Sequence, residues 1–315
     1  MSFHPTLTDT DYSLVLSEVS AMKKAKVLGS AASRMIRHRK ADTDQLFLIH
    51  RLRFLLPLPG IDPPGRVDVY DFDDSLFVGS TMDENRRFAW LKRESERWQS
   101  YTKRATLVLA GNSYLADHAR EHNKRVEVVP SCVDPSEQSL RNHEERGTVK
   151  IGWIGSKSTA TYLERLLPVF EKLSRRGHKF ELSVVGAGKA IQAPWATSVA
   201  WTLEGEKKIL SSFDIGIMPL PDDPWTRGKC GYKLLQYFAA GVPAVASPVG
   251  VNRDLVGNDR GILARSEAEW LSALEQLMLD WESRKEMGAN ARQFVEREYS
   301  YQRWAPQLAD LLRSV

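Results

Sequence analysis

Three short stretches carry side chains suited to chemistry on an anion. "DFDD" places Asp71, Asp73 and Asp74 at the end of an apolar run. "GSKST" sets Gly155, Ser156, Lys157, Ser158 and Thr159 directly after another. "GKCGYKLLQ" puts Lys229, Lys233 and Gln236 at the head of a predicted helix. Backbone N–H groups, hydroxyls and a lysine where a helix begins suit phosphate. The glycine spacing of a P-loop is missing from "GSKST", so a plain serine-threonine N-cap is the alternative account. At about 100° per residue, Lys229, Lys233 and Gln236 fall within about 60° of one another. Cys230, Leu234, Leu235 and Phe238 lie opposite, facing the expected core. A cation at a helix N-terminus is unfavourable by about 0.3 kcal/mol or more, and a bound diphosphate reverses that sign. The alternative is a solvated polar face. Gly228 and Gly231 leave room for a ligand against the backbone. Two lysine-bearing helix starts together point to a nucleoside diphosphate.

The elements that must position these residues alternate between strand and helix. "QLFLIH", "RVDVYDFDD", "TLVLAG" and "RVEVVP" read as strands, with a charged helix from about Asp83 to Lys103 and a helix capped by Asn112 or Ser113 between them. After a polar segment from Pro135 to Thr148, "VKIGWIG", "FELSVVG", "FDIGIMPL" and "PAVAS" are apolar runs. Helices begin near Thr159, Glu204, Lys229 and Glu267. Such alternation predicts crossover units and parallel sheets. The expected fold is α/β, with two Rossmann-like domains facing a cleft and a short N-terminal one. The first domain covers residues 1–146, completed by a C-terminal helix at about 299–315, and the second covers 147–298. Ligands of open parallel sheets bind at the carboxyl ends of the strands.

The bulk numbers exclude several classes. The 315 residues carry a net charge of +4, too little to argue for nucleic acid alone. The two cysteines, Cys132 and Cys230, stand in no metal-ligand spacing. No apolar run reaches the length of a membrane span, and the first eleven residues lack a signal-peptide core. A cytoplasmic protein is expected, with the inner face of a membrane as a variant. That variant rests on the basic run Arg34–Lys40, read either as a solvated helix face or as a contact for anionic headgroups.

"FDIGIMPLPDDPWTRGKCGYKLLQYFAAGVPAVASPVGVNRDLV" resembles the donor-binding half of family 4 of the retaining glycosyltransferases, which have the GT-B fold. "GWIGSKSTATYLERLLPVFEKL" and "SVVGAGKA" are similar to earlier elements of that half. "AGNSYLADHAREHNKRVEVVPSCVD" and "VYDFDDSLF" resemble parts of the acceptor half, and "SYQRWAPQLADLLRSV" its closing helix. The resemblance covers residues 45–315. It implies a hexosyl-type transferase that uses a nucleotide diphosphate sugar as donor and retains the anomeric configuration. No cofactor or metal is needed, because basic groups and helix N-termini stabilise the leaving diphosphate. Gly155, Ser156, Lys157 and Lys229 would hold the diphosphate, with Ser158 helping and Lys233 secondary. Gln236, Trp201 and Leu203 would meet the ribose or base, a buried core tryptophan being the alternative for Trp201. Asp73 and Asp74 stand where catalytic contacts are expected. The acceptor is a glycan, a lipid-linked sugar or a small molecule.

The chain departs from the family in three places. Gln236 and Gly228 occupy the positions of two glutamates that many members carry, with Asp222 or Asp223 as substitutes for the sugar-facing acid. Asp73 and Asp74 replace a frequent His-Asp pair. Only 44 residues precede "QLFLIH", and "VLGSAAS" (Val27 to Ser33) is the nearest match to an initial glycine loop. A nucleotide-sugar-binding protein without turnover and a sugar-nucleotide epimerase, using Asp73, Asp74 and His50, are therefore alternatives. "DFDDS" also resembles a phosphatase motif or a metal-binding Asp-x-Asp, and "VVGAGKA" an incomplete dinucleotide fingerprint.

Overall fold

The computed structural model describes residues 46–51, 66–78, 93–145, 147–188 and 191–315. The basic run Arg34–Lys40, the stretch Val27–Ser33 and the first half of the helix expected from Asp83 lie outside them.

The apolar runs of the first half form β1 (Leu48–His50), β2 (Val67–Phe72), β3 (Ala105–Ala110) and β4 (Val126–Val128), paired in that order and all parallel. Among the described residues two helices lie between these strands, α1 (Glu94–Arg104) before β3 and α2 (Ser113–Arg120) before β4. Asn112 caps α2: its Oδ1 accepts the Leu115 N–H at 2.9 Å. Tyr70, Phe72, Trp98 and Tyr101 fill the core between sheet and helix. A large apolar side chain buried this way contributes about 1.5–3 kcal/mol. β2 stops at Phe72, so Asp73 and Asp74 stand at the carboxyl end of the sheet. Arg51 follows β1 beside them.

The second half forms β5 (Val149–Ile154), β6 (Phe180–Val185), β7 (Ala196–Val199), β8 (Ile215–Met218), β9 (Ala244–Ala246) and β10 (Gly261–Leu263). Their order across the sheet is β10-β9-β8-β5-β6-β7, again all parallel. The helices are α3 (Ala160–Glu164), α4 (Leu167–Arg175), α5 (Leu203–Leu210), α6 (Pro224–Arg227), α7 (Tyr232–Ala239), α8 (Asn252–Val256), α9 (Glu267–Leu279), α10 (Trp281–Glu298) and α11 (Tyr301–Arg313). β7 and β10 go beyond the expected strands. "ATSV" is a half-exposed polar edge, and "GIL" is too short to show a period. Both faces of this sheet are covered. Leu163, Phe170, Leu173, Leu274 and Leu277 pack on one side, and Leu210, Phe213, Leu234, Leu235 and Phe238 on the other. That double burial is why β5, β6 and β8 are continuous apolar runs rather than alternating ones.

The strand order reverses between β5 and β8. Helices leave these neighbours on opposite faces, and a crevice opens beyond their carboxyl ends. The chain then returns to the first sheet. Val133 bridges to Ser300, and the Arg125 guanidinium donates to the Ser314 carbonyl at 3.1 Å, beyond α11. Residues Phe47–Val315 pack as one compact unit. Among the described residues no helix is long and apolar enough to cross a membrane.

Candidate functional site

A cleft of about 440 Å³ occupies that crevice. Gly155, Ser156 and Lys157, directly after β5, form one wall. Gly186 after β6 lies beneath, and Trp201, Glu206, Tyr232, Lys233 and Gln236 complete the lining. Gly186 has a φ of +80°, and a Cβ there would sit 2.2 Å from the Gly155 carbonyl oxygen. The floor is therefore backbone against backbone, open to a ligand from above.

Ser156 is a true N-cap. Its N–H donates to Thr159 Oγ1 at 3.1 Å, and its hydroxyl shares a 2.9 Å bond with Ser158. The N-cap position and the cleft wall fall on the same residues, with Lys157 exposed above them.

The helix expected from Lys229 begins at Tyr232 instead. Gly231 takes a left-handed φ of +71° and breaks the path, a conformation most side chains resist. Among the described residues no side chain caps α7, and the N–H groups of Tyr232 and Lys233 lie at its open start, while the Leu234 N–H bonds the Gly231 carbonyl. Lys233, in the first turn, is half-buried. Burial, helped by the Lys229 charge and opposed by Asp74, pushes its pKa down to about 8. Among the described residues neither Lys157 nor Lys233 has an acidic partner.

Lys229 points elsewhere. Its ammonium donates to Asp74 Oδ1 at 2.5 Å and lies 5.0 Å from the Trp225 ring centre. Arg51 holds the other side of the pair: Nη2 meets Asp73 Oδ2 at 2.8 Å and Asp74 Oδ2 at 3.1 Å. Burial alone would raise the Asp73 pKa, but the Arg51 hydrogen bonds and charge hold it below the usual carboxylate range. Asp71 bonds His50 at 2.8 Å and raises the imidazole pKa. Neither Asp73 nor Asp74 is a free base. Both are held by cationic partners at the seam between the sheets. Two hydrogen bonds reinforce that seam: Ser75 Oγ to the Pro224 carbonyl at 2.9 Å, and Asn112 Nδ2 to the Gly228 carbonyl at 3.0 Å. Burial pushes the Cys230 thiol beside them up to about 12, so it stays protonated.

Gln236 is buried and donates to Glu206 Oε1 at 2.6 Å. The Trp201 indole N–H donates to the other oxygen of Glu206. Trp201 is 50% exposed, which rules out a core tryptophan. Leu203 is 68% exposed at the start of α5 and does not line the cleft. Asp222 pairs with Arg227 at 2.6 Å and Asp223 caps α6, so both have structural duties. The cleft thus gathers Gly155, Ser156, Lys157, Trp201, Lys233 and Gln236, and leaves Lys229 and Leu203 out of its lining. Sequence reasoning missed Arg51, Glu206 and Tyr232. Arg51 was findable, because it follows β1 where the neighbouring parallel strand ends in acids. Glu206 resembles any first-turn acid of a helix, and nothing local marks it.

Residues 148–280 match the family model described as glycosyl transferases group 1. No curated protein matches the chain by sequence. Among solved structures, sucrose-phosphate synthase from Thermosynechococcus elongatus is similar with a TM-score of 0.71 at 14% identity, over 95% of this chain and 80% of that one. Anabaena HepE, solved with UDP and glucose, gives 0.62 at 14% identity over 78% and 71%. WaaG, a glycosyltransferase involved in lipopolysaccharide biosynthesis, gives 0.62 at 13% identity over 94% and 84%. At these identities the likeness speaks for the fold, which is GT-B as expected.

Proposed function

We propose that the protein transfers a hexosyl group from a nucleotide diphosphate sugar to an acceptor hydroxyl, with retention at the anomeric carbon. One observation carries the reading: Lys233, half-buried at a helix start, has among the described residues neither an acidic partner nor a side-chain cap beside it, and it lines the cleft together with Lys157. An ammonium desolvated that way is stabilised by an anion. A diphosphate seated between Ser156–Lys157 and α7 supplies it, together with the helix dipole. As the glycosidic bond breaks, charge grows on the diphosphate, and the same donors hold it more tightly than in the ground state. The nucleoside extends toward Trp201 and Gln236. The sugar extends toward Asp73, Asp74 and Arg51, whose charges are balanced in advance. Lys229, held on Asp74 outside the cleft lining, contributes its charge through space, as it does at Lys233.

Retention is the stereochemistry this reading expects, and the described carboxylates are compatible with it. Asp73 and Asp74 are ion-paired, and Glu206 bonds Trp201 and Gln236. Among the described residues at the cleft and the seam no carboxylate stands free as a nucleophile, so on this reading the acceptor attacks the face from which the diphosphate leaves, and a diphosphate oxygen takes its proton. UDP, recorded with the HepE neighbour, is the first nucleotide to try. The acceptor is a carbohydrate or glycerol-type hydroxyl; a further solved structure of similar fold, S. aureus TarM at TM-score 0.60 and 11% identity, is recorded with alpha-GlcNAc-glycerol. The reaction is placed in the cytoplasm, with residues 34–40 as a contact for anionic membrane.

A thermal-shift screen against UDP-, GDP-, ADP- and dTDP-sugars tests the reading, because a ligand of the folded state raises the melting point. One class should stabilise the protein and then release its nucleoside diphosphate on adding sugar acceptors, with the anomeric configuration kept in the product. Failure of every class to bind overturns the proposal. Tight binding with no release under any acceptor leaves a binding protein instead.

A further inference from the structure

Glu206 is a carboxylate in a cleft otherwise built for an anion. Among the described residues no cation pairs with it. Each of its oxygens accepts one proton donor, Gln236 Nε2 at 2.6 Å on Oε1 and the Trp201 indole on Oε2. A carboxylate has about four acceptor sites, so each oxygen keeps one free. The amide oxygen of Gln236 has no donor among the described residues and adds another acceptor beside them. Acceptors grouped in this way, with Lys157 and Lys233 lining the same cleft, fit a ligand with an anionic part and vicinal hydroxyls.

The bland account of Glu206 is a first-turn acid that favours the α5 dipole. Glu204 already stands in that first turn, exposed. Glu206 instead turns to the cleft and binds two residues of other elements. Position 236 carries an amide, so the negative acceptor of this subsite comes from α5 rather than from α7.

We propose that Glu206 is the specificity-determining residue for the ribose of the donor: its carboxylate, oriented by Trp201 and Gln236, accepts the ribose hydroxyls and selects ribonucleoside over deoxyribonucleoside diphosphate sugars. The inference rests on the donor reading above. A site built to hold a hydroxyl rejects the analogue lacking it because its acceptors are left unpaired. Glu206→Gln keeps the shape but cannot accept at both ends, since its NH₂ faces one of the two existing donors.

The test is calorimetric titration of the whole chain with UDP, GDP and ADP, each beside its 2′-deoxy and 3′-deoxy counterparts. The wild type should bind one ribonucleotide about 10- to 100-fold more tightly than at least one deoxy form. Glu206→Gln should bring that ratio to within about threefold while keeping a cooperative melt, which a purely structural role would not do. Glu206→Asp, which keeps the charge, should recover part of the ratio. If no nucleoside diphosphate binds, the donor reading fails and this one with it. If one binds but the wild type shows no preference, or Glu206→Gln leaves the preference unchanged, this inference alone fails.

Discussion

Lys233→Met should make the protein more stable and worse at its task. In the free protein, burial pushes the Lys233 pKa from 10.5 to about 8. At about 1.4 kcal/mol per unit, keeping this ammonium charged at pH 7 costs the native state up to about 3 kcal/mol. Methionine fills a similar volume and carries no such cost. The variant should therefore melt a few degrees higher at pH 7. The pH dependence has a definite sign. Between pH 8 and 10.5 the unfolded wild type keeps a proton that the folded wild type has released, so wild-type stability rises across that window. The variant lacks the rise, and the gap between the two should shrink from pH 7 to pH 9.5. Affinity for the nucleoside diphosphate should fall about 10- to 100-fold, the loss of one charge-assisted phosphate contact. Scanning calorimetry at both pH values and isothermal titration measure the two effects. A variant less stable at pH 7, or a gap that does not change with pH, would refute the burial argument. Unchanged affinity would refute the phosphate role.

Three further outcomes follow from the seam and the first sheet. Lys229→Ala should weaken nucleoside diphosphate binding by about tenfold with the fold kept; unchanged calorimetric affinity would assign Lys229 to its Asp74 pair alone. Gly228→Ala should cost about 1–3 kcal/mol, because a Cβ there would lie 2.0 Å from Ser75 Oγ and 2.9 Å from Leu115 Cδ2; an unmoved denaturant midpoint would show that the seam yields freely. Asp71→Asn should lower the His50 titration midpoint seen by NMR, since the Asp71 hydrogen bond is the chief cause of its raised pKa. The pair favours the folded state below about pH 6.5, and its contribution fades as pH rises through the folded-state pKa.

The long apolar runs were legible because double burial removes polar alternation from β5, β6 and β8, and helices of opposite period separate them. β7 was not, since "ATSV" is an edge with little apolar surface to reveal it. The cleft wall Gly155–Lys157 was legible because it follows directly from a strand end. The start of α7 was misread at Gly231, where a left-handed residue ends one path and begins another, so Lys229 left the helix face shared by Lys233 and Gln236. Asp73 and Asp74 were noticed as acids, while their partners were not. Arg51 and Lys229 come from segments 22 and 155 residues away, and a single sequence does not announce such pairings. Glu206 was hidden in part for the same reason: Trp201 is only five residues away, but the contact with Gln236 is set by how α7 lies against the start of α5.

The central claim is that the cleft beyond β5 and β8 seats the diphosphate of a sugar donor. A crystal structure of the protein with its preferred nucleoside diphosphate tests this most directly. The phosphates should lie between Ser156–Lys157 and the first turn of α7, within hydrogen-bond reach of Lys233, with the nucleoside beside Trp201, Glu206 and Gln236. A nucleotide bound elsewhere, or one in the cleft with its phosphates turned away from Lys157 and Lys233, would contradict the account.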